Sequence, residues 1–314
     1  MLVVDAHMHI WERLDGFVFG TMRTSNYRYG KVTYTGADGS FEFARWMPPS
    51  FVDSSARPEL YFEFMEWAGV DKSVLLQGPV YGSQNAYYAQ LRERHPDKFT
   101  FSYAFVDPRD PERAIRDLDV AVKVYHLNGA KFEPPHTPFW LDDPAVIPLW
   151  DKIAELGIVA AVDLGWHPEK PYHMQNDRFE RIVARYRDTQ FVLLHLGGSD
   201  LGNLQQHYPF PRLQRTLELR KYPNLHFEMG GLVSVCEYDE YPYERVQEMV
   251  RAAWETVGPD RLFWGSDWPY SEQLCTYPQN VNVIRKFCDF LPQEDKEKIL
   301  GGNAMAFYGA RGQR

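Results

Sequence analysis

Eight times along these 314 residues a short apolar run gives way to a polar residue or a turn, and then to a segment with helical spacing of apolar side chains. The runs fall at residues 3–11, 72–77, 99–106, 129–132, 158–164, 191–195, 225–229 and 262–267. Between and after them, helical patterns cover 58–67, 84–94, 111–125, 177–187, 212–221, 243–257, 280–291 and 293–308. A further helix is expected to open at Asp143-Pro144, an acidic cap followed by proline at the first helical position, and to close at Gly157. Strands that alternate with helices run parallel, because the crossover brings the chain back to start the next strand in the same sense. Eight such units predict an α/β protein of the (β/α)8 barrel class, occupying 1–314 as one domain.

A barrel of this kind builds its site from residues at the C-terminal ends of its strands. The first run ends in His7 and His9, and period-two alternation puts both imidazoles on one face. Lys131 and Glu133 share a face on the fourth strand, His167 follows the fifth, His195 closes the sixth and Asp267 closes the eighth. Imidazole nitrogens and a carboxylate are ligands suited to zinc or another divalent metal, and the expected set is His7, His9, His167 and Asp267. Such an ion would polarise a carbonyl or lower the pKa of a bound water, and Asp267 is placed to act as general base, with His195 as a second catalytic group.

Residues 12–57 are rich in Gly, Tyr, Phe and Arg and show no clear period, and a stretch that long is expected to fold as a lid over the mouth. Arg13, Arg23, Arg28, Lys31 and Arg45 are its candidates for holding a substrate carboxylate. Aromatic residues make up 15% of the chain, which suits a pocket for a flat or apolar substrate as well as it suits core packing. The net charge of −9, with basic residues scattered, argues against nucleic acid and for a small-molecule substrate. No run is long enough to span a bilayer and no secretory leader pattern opens the chain, so a cytoplasmic location and no membrane partner are expected. Composition leaves a homo-oligomer open. Cys236, Cys275 and Cys288 have neither the count of a disulfide framework nor the spacing of a structural zinc site.

The order His-x-His, Lys, His, His, Asp resembles the amidohydrolase superfamily over nearly the whole chain. The second half is most similar to the sugar-lactone and muconolactone hydrolases: Val162-Asp163-Leu164, His195-Leu196-Gly197, Gly230-Gly231-Leu232, Gly258-Pro259-Asp260-Arg261-Leu262 and Gly265-Ser266-Asp267-Trp268-Pro269, with Asp5-Ala6-His7-Met8-His9-Ile10-Trp11 at the start. The chain is also similar to aminocarboxymuconate semialdehyde decarboxylase-like enzymes, whose fifth-strand ligand is a His followed by Pro, as in His167-Pro168. The two resemblances disagree there, since the first puts Asp163 in the site and the second His167. Together they imply a metal-dependent enzyme, with zinc the expected ion and manganese the alternative. The leading activity is opening of a lactone with Asp267 as base, and non-oxidative decarboxylation is the alternative. Lys131, where some superfamily members carry a bridging carbamate, is implied to stay a charged amine that binds substrate, together with Asp163, Trp268 and the arginines of 12–57.

Overall fold

The computed structural model describes residues 1–165, 167, 169–198, 207–236 and 239–312. Twelve strands are present among them: β1 Val4–Met8, β2 Phe17–Val18, β3 Met22–Asn26, β4 Lys31–Thr35, β5 Phe41–Arg45, β6 Lys72–Leu75, β7 Phe99–Ala104, β8 Gly129–Phe132, β9 Val159–Val162, β10 Phe191–Leu193, β11 Leu225–Glu228 and β12 Leu262–Phe263. Eight of them, β1 and β6 to β12, hydrogen-bond in chain order as one parallel sheet. The sheet closes on itself beyond β12, where Ala6 N–H donates to Trp264 O (3.1 Å), Asp267 N–H to His7 O (2.8 Å) and His9 N–H to Trp268 O (2.9 Å). The chain therefore folds as the expected (β/α)8 barrel.

The outer layer contains α1 Pro58–Ala68, α2 Asn85–Arg94, α3 Pro111–Lys123, α4 Ile147–Leu156, α5 Asn176–Arg185, α6 Pro211–Leu217, α7 Leu232–Val235, α8 Glu244–Val257, α9 Tyr277–Asn282 and α10 Gln293–Glu297. Gly69 and Gly157 end α1 and α4 in the left-handed conformation that glycine adopts without Cβ strain. Two starts differ from expectation. Asp143 does not cap α4: its carboxylate accepts from Ala145 N–H in a separate turn, and the helix begins at Ile147 with its own proline, Pro148, in the first turn. The penultimate helix begins at Tyr277 and not at 280, because Thr276 and Gln279 form a capping box, each side chain accepting from the other's backbone N–H.

Inside the barrel, Val4, Ala6, Val74, Leu76, Phe101, Val159, Ala161, Val192, Leu194 and Phe263 form one apolar cluster with Phe307 and Tyr308 from the chain's end. Simple alternation would send His7 the same way as Asp5 and away from Ala6. The pairing of β1 with β6 slips by one residue between Asp5 and Met8, a bulge that lets Ala6 and His7 both face inward while Asp5 turns outward. On that outer side Asp5 accepts from the hydroxyls of Tyr61 (3.1 Å), Tyr277 (2.6 Å) and Ser266 (2.5 Å), and from the N–H groups of His7 and Ser266. Burial still outweighs these five donors and lifts its carboxyl to about 6.

Residues 12–57 are not a structureless loop. They hold β2 to β5, an antiparallel sheet in that order. Its period was hidden because both faces carry large side chains: Tyr34 looks toward the barrel mouth, while Phe41 and Phe43 are exposed on the opposite face. Polar-out alternation, the usual sign of a half-buried strand, is missing from such a sequence.

Candidate active site

At the C-terminal end of the strands lies a cavity of about 290 Å³. Its floor is His7, His9, Lys131, Asp163, His195 and Asp267, delivered by β1, β8, β9, β10 and the stretch after β12. Val18, Phe19, Tyr34 and Trp46 overhang it from the 12–57 segment, and Tyr81 enters from the turn after β6.

Proton positions at the core of the floor follow from fixed acceptors. His9 Nδ1 is 2.9 Å from Leu76 O, and a carbonyl can only accept, so this nitrogen carries the hydrogen and Nε2 of the neutral ring presents a lone pair. His7 Nδ1 likewise donates to Glu228 Oε2 at 3.1 Å, leaving its Nε2 bare. Burial, reinforced by the neighbouring His195, holds His7 well below the ordinary histidine range, so it is neutral. The two Nε2 atoms are 3.1 Å apart, and Asp267 Oδ1 stands 3.1 Å from His9 Nε2 and 3.7 Å from His7 Nε2. Three electron-rich atoms this close require positive charge between them, either a proton on His9 or a cation. Two imidazole nitrogens and a carboxylate oxygen, all within 4.8 Å of one another, are the donor set of a borderline divalent metal. Although burial alone would raise it, the hydrogen bond from His9 and the electrostatic influence of the surrounding histidines hold the Asp267 carboxyl at about 2.

Around this core the side chains fix one another. Glu228 also accepts from His195 N–H (3.2 Å), and burial lifts its carboxyl to about 7. His195 Nδ1 donates to Gly230 O at 2.7 Å and turns Nε2 toward Asp163 Oδ2 at 3.6 Å. Burial opposes a charge on His195, but the carboxylates of Asp163, Asp267 and Glu228 raise its pKa. Lys131 Nζ is 3.2 Å from Glu133 Oε2; here too burial is overcome, by Glu133, Asp163 and Asp267, so the amine stays protonated.

His195 and Asp267 occupy the left-handed region at φ 52° and 59°, an expensive conformation for residues with a Cβ that functional sites commonly hold. Gly231, at φ 64°, makes room for both: a Cβ there would lie 2.7 Å from Asp267 Oδ2 and 3.1 Å from His195 Nδ1. Gly231→Ala is therefore expected to cost about 1–2 kcal/mol of stability from backbone strain and to push Asp267 off its position. Calorimetry should show a melting point lower by a few degrees, and assays a kcat reduced more than tenfold; unchanged turnover would mean that the carboxylate has slack.

Several residues expected in the site are elsewhere. His167 does not join the floor cluster. It lines the outer cavity with its ring 5.4 Å from that of His173 and its Nδ1 3.4 Å from Glu169, because β9 ends at Val162 and the intervening residues carry it past the floor. Arg23, Arg28 and Arg45 do not line the cavity. Arg23 pairs with Asp15 (2.9 Å), Arg28 lies over Tyr27 and Tyr29, and Arg45 donates to Tyr29 O. In register Arg23 stands opposite Thr35 and Arg45 opposite Lys31, on the face of the sheet opposite to Tyr34, so the period-two rule turns them outward. Trp268 is fully buried against Tyr61 and Phe64 behind the seam and does not reach the cavity. Glu228, Tyr81, His136 and His173 were not anticipated. Glu228 alone had a signal, a carboxylate at the C-terminal end of an apolar run.

Fold and site define a (β/α)8 barrel enzyme with a cluster able to hold a divalent ion. The family model described as amidohydrolase matches residues 4–310, and the chain belongs to that family. It is 28% identical to an L-fucono-1,5-lactonase of Burkholderia ambifaria, covering 97% of this chain and 94% of that protein. It is 23% identical to a 4-sulfomuconolactone hydrolase of Rhizobium radiobacter, covering 87% of each. The crystal structure of an amidohydrolase from Burkholderia multivorans with bound zinc superimposes with a TM-score of 0.67 at 19% identity, over 98% of this chain and 99% of that one. Among the described residues no helix is long and apolar enough to cross a membrane.

Proposed function

We propose that this protein hydrolyses a lactone or related cyclic ester, with Asp267 as general base and residues 12–57 as the lid of the site. The observation that carries the reading is a carboxylate at the centre of the floor, 3.1 Å from His9, in a cavity lined by aromatic side chains. Two relatives named as lactone hydrolases, matched over most of the chain, support the choice of a cyclic ester. His7, His9 and Asp267 would hold a divalent ion, for which zinc is our first choice and manganese our second, and such an ion would supply Lewis-acid activation of an oxygen.

The residues divide the chemistry as follows. Asp267 removes a proton from water as the water oxygen attacks the acyl carbon. The carbonyl electrons collect on the acyl oxygen, where the ammonium of Lys131 and the imidazole of His195 favour negative charge. As that oxygen reforms its double bond, the bond from the acyl carbon to the ring oxygen breaks, and the alkoxide takes the proton back from Asp267. The product is an open-chain hydroxy acid, and its carboxyl ionises in neutral solution. Glu228 keeps His7 in one tautomer throughout, and Asp163 holds the orientation of His195.

Ring opening near pH 7 releases one proton per turnover, so a pH-indicator assay over a panel of sugar δ- and γ-lactones and unsaturated lactones tests the reading. Acidification that depends on enzyme and saturates with one class of lactone supports it. Carbon dioxide release from an aromatic acid, with no lactone opened, would replace it with decarboxylation. That alternative draws on His167 as a ligand, and the placement of that ring beside Glu169 and His173 speaks against it.

A further inference from the structure

Tyr81 is a buried polar group that the scheme above does not use. The residue is 7% exposed, and its hydroxyl, on the cavity wall, has no hydrogen-bond partner among the described residues. With no protein partner, the hydroxyl is left to meet whatever occupies the cavity that Tyr81 lines. The ring is held by its neighbours, stacked at 4.8 Å on His9 and at 5.1 Å on Trp11, with Trp46 edge-on at 6.2 Å. Its backbone is equally fixed. Tyr81 N–H donates to Gly78 O (3.2 Å), its carbonyl accepts from Gln84 Nε2 (2.9 Å), and the carbonyl of Val80 accepts from Thr24 Oγ1 (2.6 Å) of β3. The hydroxyl is therefore a donor whose direction is set before anything binds.

We propose, resting on the lactone reading above, that Tyr81 is a catalytic hydrogen-bond donor whose hydroxyl binds the acyl oxygen of the substrate beside the His9–Asp267 pair. Stacking on His9 places the phenol over the ring whose Nε2 meets Asp267, so base and donor approach one substrate atom group from neighbouring positions. The phenol is a neutral O–H donor across the neutral range, since an ordinary tyrosine ionises only at about pH 10. A fixed neutral donor aimed at developing charge needs no reorganisation during the reaction, which is what makes such groups effective.

Tyr81→Phe tests this, since it keeps both ring stacks and removes one oxygen. On whichever lactone the wild type opens best, kcat should fall roughly 10²-fold, the order typical of losing one such donor, with KM within about threefold. Metal content and melting temperature should match the wild type, and the pH–rate profile should keep its shape. A kcat within twofold of the wild type, or an activity loss that only follows loss of metal, overturns the assignment. A second measurement does not need turnover: calorimetric affinity for δ-valerolactam, a cyclic amide with the same acyl oxygen that is not readily opened. The variant should bind it at least fivefold more weakly, and equal affinity overturns the assignment. If the wild type binds the lactam yet opens no lactone, the hydrolase reading falls and lactam affinity alone decides for Tyr81. If it does neither, both fall.

Discussion

Asp267→Asn is expected to yield a folded protein that has lost nearly all turnover. The substitution keeps the size of the side chain and its ability to fill the same hydrogen-bonding space, but an amide cannot take the proton from water. Loss of a positioned general base lowers kcat by roughly 10²–10⁴-fold, while substrate binding, which uses the cavity walls, should change far less. The backbone favours the experiment. Asp267 sits at φ 59°, a conformation in which asparagine, like aspartate, is enriched among residues with a Cβ, and its N–H bond to His7 O does not involve the side chain. Thermal unfolding within a few degrees of the wild type, together with kcat at or below a hundredth, is the expected pair of results. Near-normal kcat would remove Asp267 from the chemistry and leave it a structural carboxylate.

His9→Ala should empty the floor of bound metal. The wild type, purified without chelator, is expected to carry about one divalent ion per chain by elemental analysis, and the variant far less than a tenth of that. Losing an outer partner of a ligand typically weakens metal binding 10–100-fold, so losing a ligand itself should cost more. His9 is a cleaner choice than His7. Leu76 O, which accepts from His9, also accepts from Tyr88 Oη at 2.7 Å and stays satisfied when the imidazole is removed. His7→Ala would instead leave the buried carboxyl of Glu228 without one of its donors, at about 1–3 kcal/mol, and confuse metal loss with unfolding. Removal of metal from the wild type by chelation, with activity restored by adding zinc or manganese, is the companion measurement. Full activity after exhaustive chelation, or unchanged metal content in His9→Ala, would make the histidines proton carriers and not ligands.

What the sequence revealed of this site follows the reach of its periodic rules. Parallel strands with crossovers leave a strong rhythm, and the floor residues His7, His9, Lys131, His195 and Asp267 were legible because each lies at or near the end of an apolar run, whereas Asp163, inside its run, came only from the resemblance to lactone hydrolases. The same rule could have drawn out Glu228, whose run also contains the polar His226 and so looked less like a buried strand. Where the backbone departs from regularity the rule fails. Nothing in Val4-Asp5-Ala6-His7 announces the bulge that turns Asp5 out and His7 in. The arginines of 12–57 had the right chemistry for an anion, but facing is set by register, and register was unreadable in strands with aromatic residues on both faces. Tyr81 depends on a turn whose shape comes from contacts with a sheet distant in sequence, so no local pattern marks it.

The barrel is sealed by main-chain bonds between its first strand and the stretch around Asp267, and the ligand cluster straddles that same seal, joining residues 258 positions apart in the chain. An open sheet missing either end would carry only half of the cluster. Assembly of the site thus requires ring closure, and affinity for a divalent ion would gauge whether the chain has closed. By mass action, an ion that binds only the closed form adds to stability as RT ln(1 + [M]/Kd), about 2.7 kcal/mol at a hundredfold excess over Kd. The cluster would then serve as a latch of the barrel, at the joint between its two ends.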